Sequence, residues 1–149
     1  MRKRKALVEP EWTCRVHPES RYLYYDVNIW SHKKDMIACL REWGMRGKCE
    51  AACCSIRREE CRDNGTVRLL PNLGTIHLIK EYMPYPVIIH EIGHAAIEWG
   101  RRKYLNFNMT MEAGFTEVEE GEERILHAQS KMLFEFYTKY ERRYGRPEE

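Results

Sequence analysis

The clearest alternation of hydrophobic and polar positions falls on "RYLYYDVNIW" (21–30), where Leu23, Tyr25, Val27 and Ile29 alternate with Tyr24, Asp26 and Asn28. A period of two belongs to a half-buried strand, so a strand is expected over 21–30. Ser31 then reads as the N-cap of a helix through "HKKDMIACLREW", in which Met36, Ile37, Leu40 and Trp43 share a face and Gly44 and Gly47 supply stops. From 45 to 65 the chain is polar, cysteine-rich and weakly periodic, which predicts an irregular insertion with a short helix around 53–62. "TVRLL" and "GTIHLIKEYM" flank the turn signal "PNLG", and Thr75 to Ile79 fit a strand, expected to form a sheet edge.

Pro84 and Pro86 punctuate the chain, and a helix is expected to start at or just after Pro86, where a missing N–H costs nothing, and to end near Gly100. Its apolar face is Ile88, Ile92, Ala95, Ala96 and Trp99. Thr116 followed by Glu119 is a capping-box signature for a second helix running to Gly145, with a stripe of Val118, Ile125, Met132, Leu133, Phe136 and Tyr140. These elements predict an α+β fold: a small antiparallel or mixed sheet packed on two long helices, in a single domain spanning 1–149.

Composition narrows the setting. A hydrophobic fraction of 43% beside 32% charged residues is that of a globular chain. The net charge of +2 is too balanced for a nucleic-acid surface, although "MRKRK" and the segment from Arg41 to Arg68 are basic and "MEAGFTEVEEGEE" (111–123) is acidic. No apolar run approaches the ~20 residues of a membrane span, and the first residues lack the apolar stretch of a signal peptide. The six cysteines are therefore expected to be reduced thiols of a cytoplasmic protein.

The chemistry is concentrated in "HEIGH" (90–94). Residues four apart on a helix lie one turn above each other, so His90 and His94 can aim both imidazoles at one point, as a tetrahedral zinc ion requires. Glu91, next to the first ligand, is placed to act as a general base. A third protein ligand is needed, and Glu122 falls inside the apolar stripe of the following helix, where a carboxylate demands a partner. Glu123 projects about 100° away from it on helical geometry.

"HEIGH" followed by a glutamate on a downstream helix resembles the gluzincin class of zinc metallopeptidases, which includes thermolysin, and the length resembles short phage- or bacteria-encoded zincin-like proteins. The resemblance covers residues 74 to about 140. It implies a zincin-like fold, Zn2+ held by His90, His94 and Glu122 or Glu123, and Glu91 as base and proton shuttle in the hydrolysis of a peptide or protein substrate, as an endopeptidase. Periodicity favours Glu122, whereas an ionisable residue four positions on (His127) favours Glu123. The strand "GTIHLI" would run along the cleft, and a free edge there could take an extended substrate as an added strand. His77, Tyr104, His127 and Tyr137 are all candidates for an oxyanion donor or a supporting contact.

Other classes remain. Cys14 and His17, with Cys49, Cys53, Cys54 and Cys61, could build a closed structural zinc site and make the chain a binding or regulatory module, while Cys39 reads as core packing on its helix. A zincin fold that has lost activity and binds a partner is a further alternative.

Overall fold

The computed structural model describes residues 8–45, 49–55, 59–61, 63–65, 67–103 and 115–145. In chain order the elements are β1 (Trp12–Val16), β2 (Tyr24–Trp30), α1 (Lys33–Glu42), β3 (Ala52–Ser55), β4 (Glu59–Cys61), β5 (Val67–Leu69), β6 (Asn72–Ile79), α2 (Tyr85–Lys103) and α3 (Phe115–Tyr144). A four-stranded mixed sheet of order β1-β2-β6-β3 forms the centre, and β4 and β5 make a separate two-stranded ribbon. The β2–β6 pair is parallel; β1–β2 and β6–β3 are antiparallel.

Helices cover both faces of the sheet. Tyr25, Val27 and Ile29 of β2 and Leu73, Ile76 and Leu78 of β6 join Ile88, Ile92, Ala95, Ala96 and Trp99 of α2 and Ala128, Met132 and Phe136 of α3 in the main core. On the opposite face a smaller core of Trp30, Met36, Leu40, Ala52 and Ile79 lies under α1. The Tyr25 hydroxyl donates to the Ala95 carbonyl at 3.0 Å, fixing α2 over the sheet. On the far side Lys139 donates to the Arg15 carbonyl and Lys131 to the His17 carbonyl, and Glu135 accepts from the His17 backbone N–H, so α3 is strapped along β1.

Four expectations are corrected. β6 is an interior strand, because it pairs with β2 on one side and β3 on the other; the edges are β1 and β3. Its residues from Leu73 to Ile79 are all buried, as a strand covered on both faces must be. The short helix expected around 53–62 is instead β3 and β4: pairing of "ACCS" with β6 outweighs weak local propensity. Ser31 is not the N-cap of α1; His32 holds that position without a side-chain cap bond, while the Ser31 hydroxyl donates to Glu11. Gly100 does not end α2, which continues to Lys103. Its missing side chain is instead filled by Ile125 of α3.

Candidate active site

α2 begins after Pro84, whose carbonyl accepts the N–H groups of Val87 and Ile88 at 3.0 and 3.3 Å, and Pro86 sits in the first turn where no N–H is needed. Its apolar face is buried as the pattern requires, and that burial sets the rotation of the helix. His90 and His94 are thereby exposed and Glu91 is directed toward β3, 9% accessible. The two imidazole Nε2 atoms lie 3.0 Å apart with rings crossed at 88°. Two nitrogens at ~2.0–2.1 Å from a tetrahedral ion are about 3.3 Å apart, so the pair fits a shared cation with a shift of a few tenths of an ångström.

Glu91 separates two cavities along the sheet edge. The larger, of about 620 Å³, is bounded by Pro86, His90 and Glu91 of α2, by Lys33 at the start of α1, and by Cys49 and Glu50. The smaller, of about 330 Å³, is bounded by Glu91, His94 and Glu98 against Met45, Cys49 and Cys53. Burial pushes the Glu91 carboxyl above its usual range, while His90 and His94 pull it back. A half-desolvated carboxylate beside two imidazoles is suited to taking a proton and returning it.

The remaining predicted residues are placed less uniformly. α2 and α3 run antiparallel, with a Cβ on Gly93 meeting the Gln129 side chain at 3.3 Å and Gly100 facing Ile125. Gln129 is thus level with the histidine pair. Glu122 and Glu123 lie six to seven residues toward the start of α3, roughly 9–10 Å along its axis at the α-helical rise. Both are exposed, and Glu123 pairs with His127 at 3.8 Å. The structure does not bring either glutamate to the histidines, and among the described residues no three metal-ligating side chains converge.

His77 lies across the sheet from the pair, fully buried on the α1 side, its Nδ1 accepting from Trp30 Nε1 at 3.0 Å. It therefore has no path to the cavities. His127 is 83% exposed on α3. The Tyr137 hydroxyl is buried without a hydrogen-bond partner among the described residues, its ring 5.5 Å from that of Tyr85 at the start of α2. Tyr104 is outside the described residues. Cys14 lies on β1 and His17 directly after it, at the sheet edge opposite β3, so they do not join Cys53 and Cys54 in one site. The side chain of Cys61 is outside what is described. Lys33 and Glu98 escaped the sequence reading. Glu98 was discoverable, since it stands four residues after His94 and seven after Glu91 on one helix face, whereas Lys33 reaches the cavity only through tertiary packing.

No family model matches the chain, and neither a curated protein nor a solved structure matches it.

Proposed function

We propose that the protein is a zinc-dependent metallopeptidase of the gluzincin type, an α+β zincin-like domain that cleaves peptide bonds with Glu91 as general base. The observation that carries this reading is the convergence of His90 and His94, Nε2 to Nε2 3.0 Å, beside the buried Glu91 between two cavities. His90 and His94 would hold the cation. When bound it supplies Lewis acidity and an acidified water.

Glu91 takes the proton of the attacking water and passes it to the leaving amine. The third ligand in this reading is Glu122, with Glu123 as the alternative. Ligation by either requires α3 to shift along α2 by roughly the 9–10 Å that separates them from the pair, less the reach of a glutamate side chain. With β6 interior, the strand available to an extended substrate is β3, the edge beside α2. A peptide added there would lie across both cavities with its backbone held by strand hydrogen bonds. The thiols of Cys14, Cys39, Cys49, Cys53 and Cys54 are free, which accords with a reducing compartment, and the cytoplasm is the proposed setting. No helix among the described residues is long and apolar enough to cross a membrane.

The deciding experiment measures bound zinc and cleavage of a fluorogenic peptide library by the same preparations. Wild type should cleave. His94→Ala should lose one equivalent of zinc together with activity. Glu91→Gln should retain zinc and lose about 10²–10⁴ in rate, and whichever of Glu122→Ala and Glu123→Ala also releases zinc names the third ligand. A zinc content that is the same with and without both histidines, or a zinc-loaded wild type that cleaves nothing in the library, removes the peptidase reading.

A further inference from the structure

The two cavities that flank Glu91 differ in charge. Besides Glu91, the larger carries one ion of each sign, the exposed Lys33 and Glu50. The smaller carries Glu91 and Glu98 together with His94, and among the described residues that bound it there is no lysine or arginine. Its remaining walls, Met45, Cys49, Ala51, Ala52 and Cys53, are aliphatic or sulfur-bearing.

Both carboxylates border this space without a cation of their own. Glu91 is 9% accessible, and among the described residues its carboxylate has no hydrogen-bond donor, only the two imidazoles nearby. Glu98 is half-buried one turn beyond His94 and has no ion-pair partner among the described residues. The wall thiols add no charge: burial first, then negative charge at Glu91, Cys54 and Glu98, pushes Cys53 up to about 12, and burial raises Cys49 as well. A partly desolvated carboxylate is costly without a partner, and a guanidinium or ammonium group supplies one through charge-assisted hydrogen bonds. The methylene stem of such a side chain packs on aliphatic walls.

We propose that the smaller cavity is the pocket for a basic side chain, arginine or lysine, beside the cleaved bond, with Glu98 as the residue that selects it; this rests on the peptidase reading. Glu91 does not fill that role, because a general base gains and loses a proton during turnover. Cys53 of β3 packs toward α2. Alternate side chains of a substrate strand paired to β3 point to that same face, into a cavity of about 330 Å³ that opens beside His94. In the larger cavity Lys33 and Glu50 oppose each other in sign, so that side of Glu91 selects less by charge.

The test uses the zinc-loaded full chain and pairs of fluorogenic peptides that differ at one position, arginine in one and its neutral isostere citrulline in the other. The position is moved along the peptide, and mass spectrometry locates each cut. Wild type should prefer arginine over citrulline in kcat/KM by roughly 10–100-fold at one position adjoining the cut, the worth of a hydrogen-bonded charge. Glu98→Gln should bring that ratio close to one with zinc retained, and Glu98→Lys should turn the preference toward glutamate. Lys33→Ala should keep the arginine ratio. Each ratio is taken within one preparation, so a smaller folded fraction does not alter it. Cleavage indifferent to arginine, or a preference that survives Glu98→Gln, overturns the pocket and leaves the hydrolase standing. Zinc lost with Glu98→Gln also overturns it, by making Glu98 a ligand. A wild type that cleaves none of the peptides overturns the peptidase reading and the pocket with it.

Discussion

His77 sits in the middle of β6 with no exposed surface, and burial alone lowers its pKa from 6.5 to about 4. Its ring stays neutral in the native chain, accepting the Trp30 hydrogen bond on Nδ1, under conditions that protonate an unfolded chain. Below pH 6.5 the unfolded state therefore binds the extra proton. Stability should be undiminished above that pH and should fall through the window from 6.5 to about 4. The loss attributable to this residue is about 3 kcal/mol, the free energy of a shift of that size. Urea denaturation at pH 7, 5.5 and 4.5 measures it. His77→Asn keeps an acceptor for Trp30 but carries no titratable ring, so it should be less stable at pH 7 yet show a flatter dependence; an equally steep slope in the variant would assign the acid sensitivity elsewhere. The same residue shows where reading a sequence falters. A histidine just before a metal motif invites a catalytic role, and only the pairing of β6 with two neighbours places it under α1. His90, Glu91 and His94 were legible because their relation is local, fixed by helical rise and by the apolar face opposite them.

At the level of elements, α2 and α3 meet through two glycines with opposite demands. At Gly93 the nearest atom to an added Cβ is the amide nitrogen of Gln129 at 3.3 Å, the end of a flexible side chain that can move aside. Replacing a mid-helix glycine by alanine gains roughly 0.5–1 kcal/mol, so Gly93→Ala should raise the melting temperature. At Gly100 the same atom would overlap the Ile125 side chain, which is partly buried and packs against the main core. Gly100→Ala should therefore lose about 1–3 kcal/mol despite the better propensity. Pairing it with Ile125→Ala should recover part of that loss, and simple additivity in the double variant would refute the contact as the cause. Both helices were readable from their period, and α2 from its prolines, whereas the Thr116–Glu119 capping signature falls inside α3, which is already helical at Phe115. β3 was not, because "ACCS" has no alternation to distinguish it from a turn of helix, and its partner β6 is distant in sequence. The interior position of β6 left no trace either, since Thr75 and His77 interrupt "LGTIHLI" and give it the alternation of a half-exposed strand although all seven residues are buried.

Across the whole molecule, the histidine pair, Glu91 and both cavities lie along one edge of the sheet, where α2 and β3 meet, while the opposite edge is closed by the strap from α3 to β1. That asymmetry makes the bound state separable by linkage. A cation that binds only the folded chain, at a hundred times its dissociation constant, adds about 2.7 kcal/mol, which for a chain of this size raises the melting temperature by roughly 5–10 °C. Chelator-treated protein should melt below the zinc-loaded form by that amount. His94→Ala should remove the increment, whereas Cys54→Ser should leave it, because that thiol packs on the α1 face of the sheet, away from the histidines. Calorimetry on the three proteins, chelated and loaded, measures it. Identical melting of chelated and loaded wild type would mean that the histidine pair holds no metal in the folded chain, and an increment that survives His94→Ala would mean that the ion is held elsewhere.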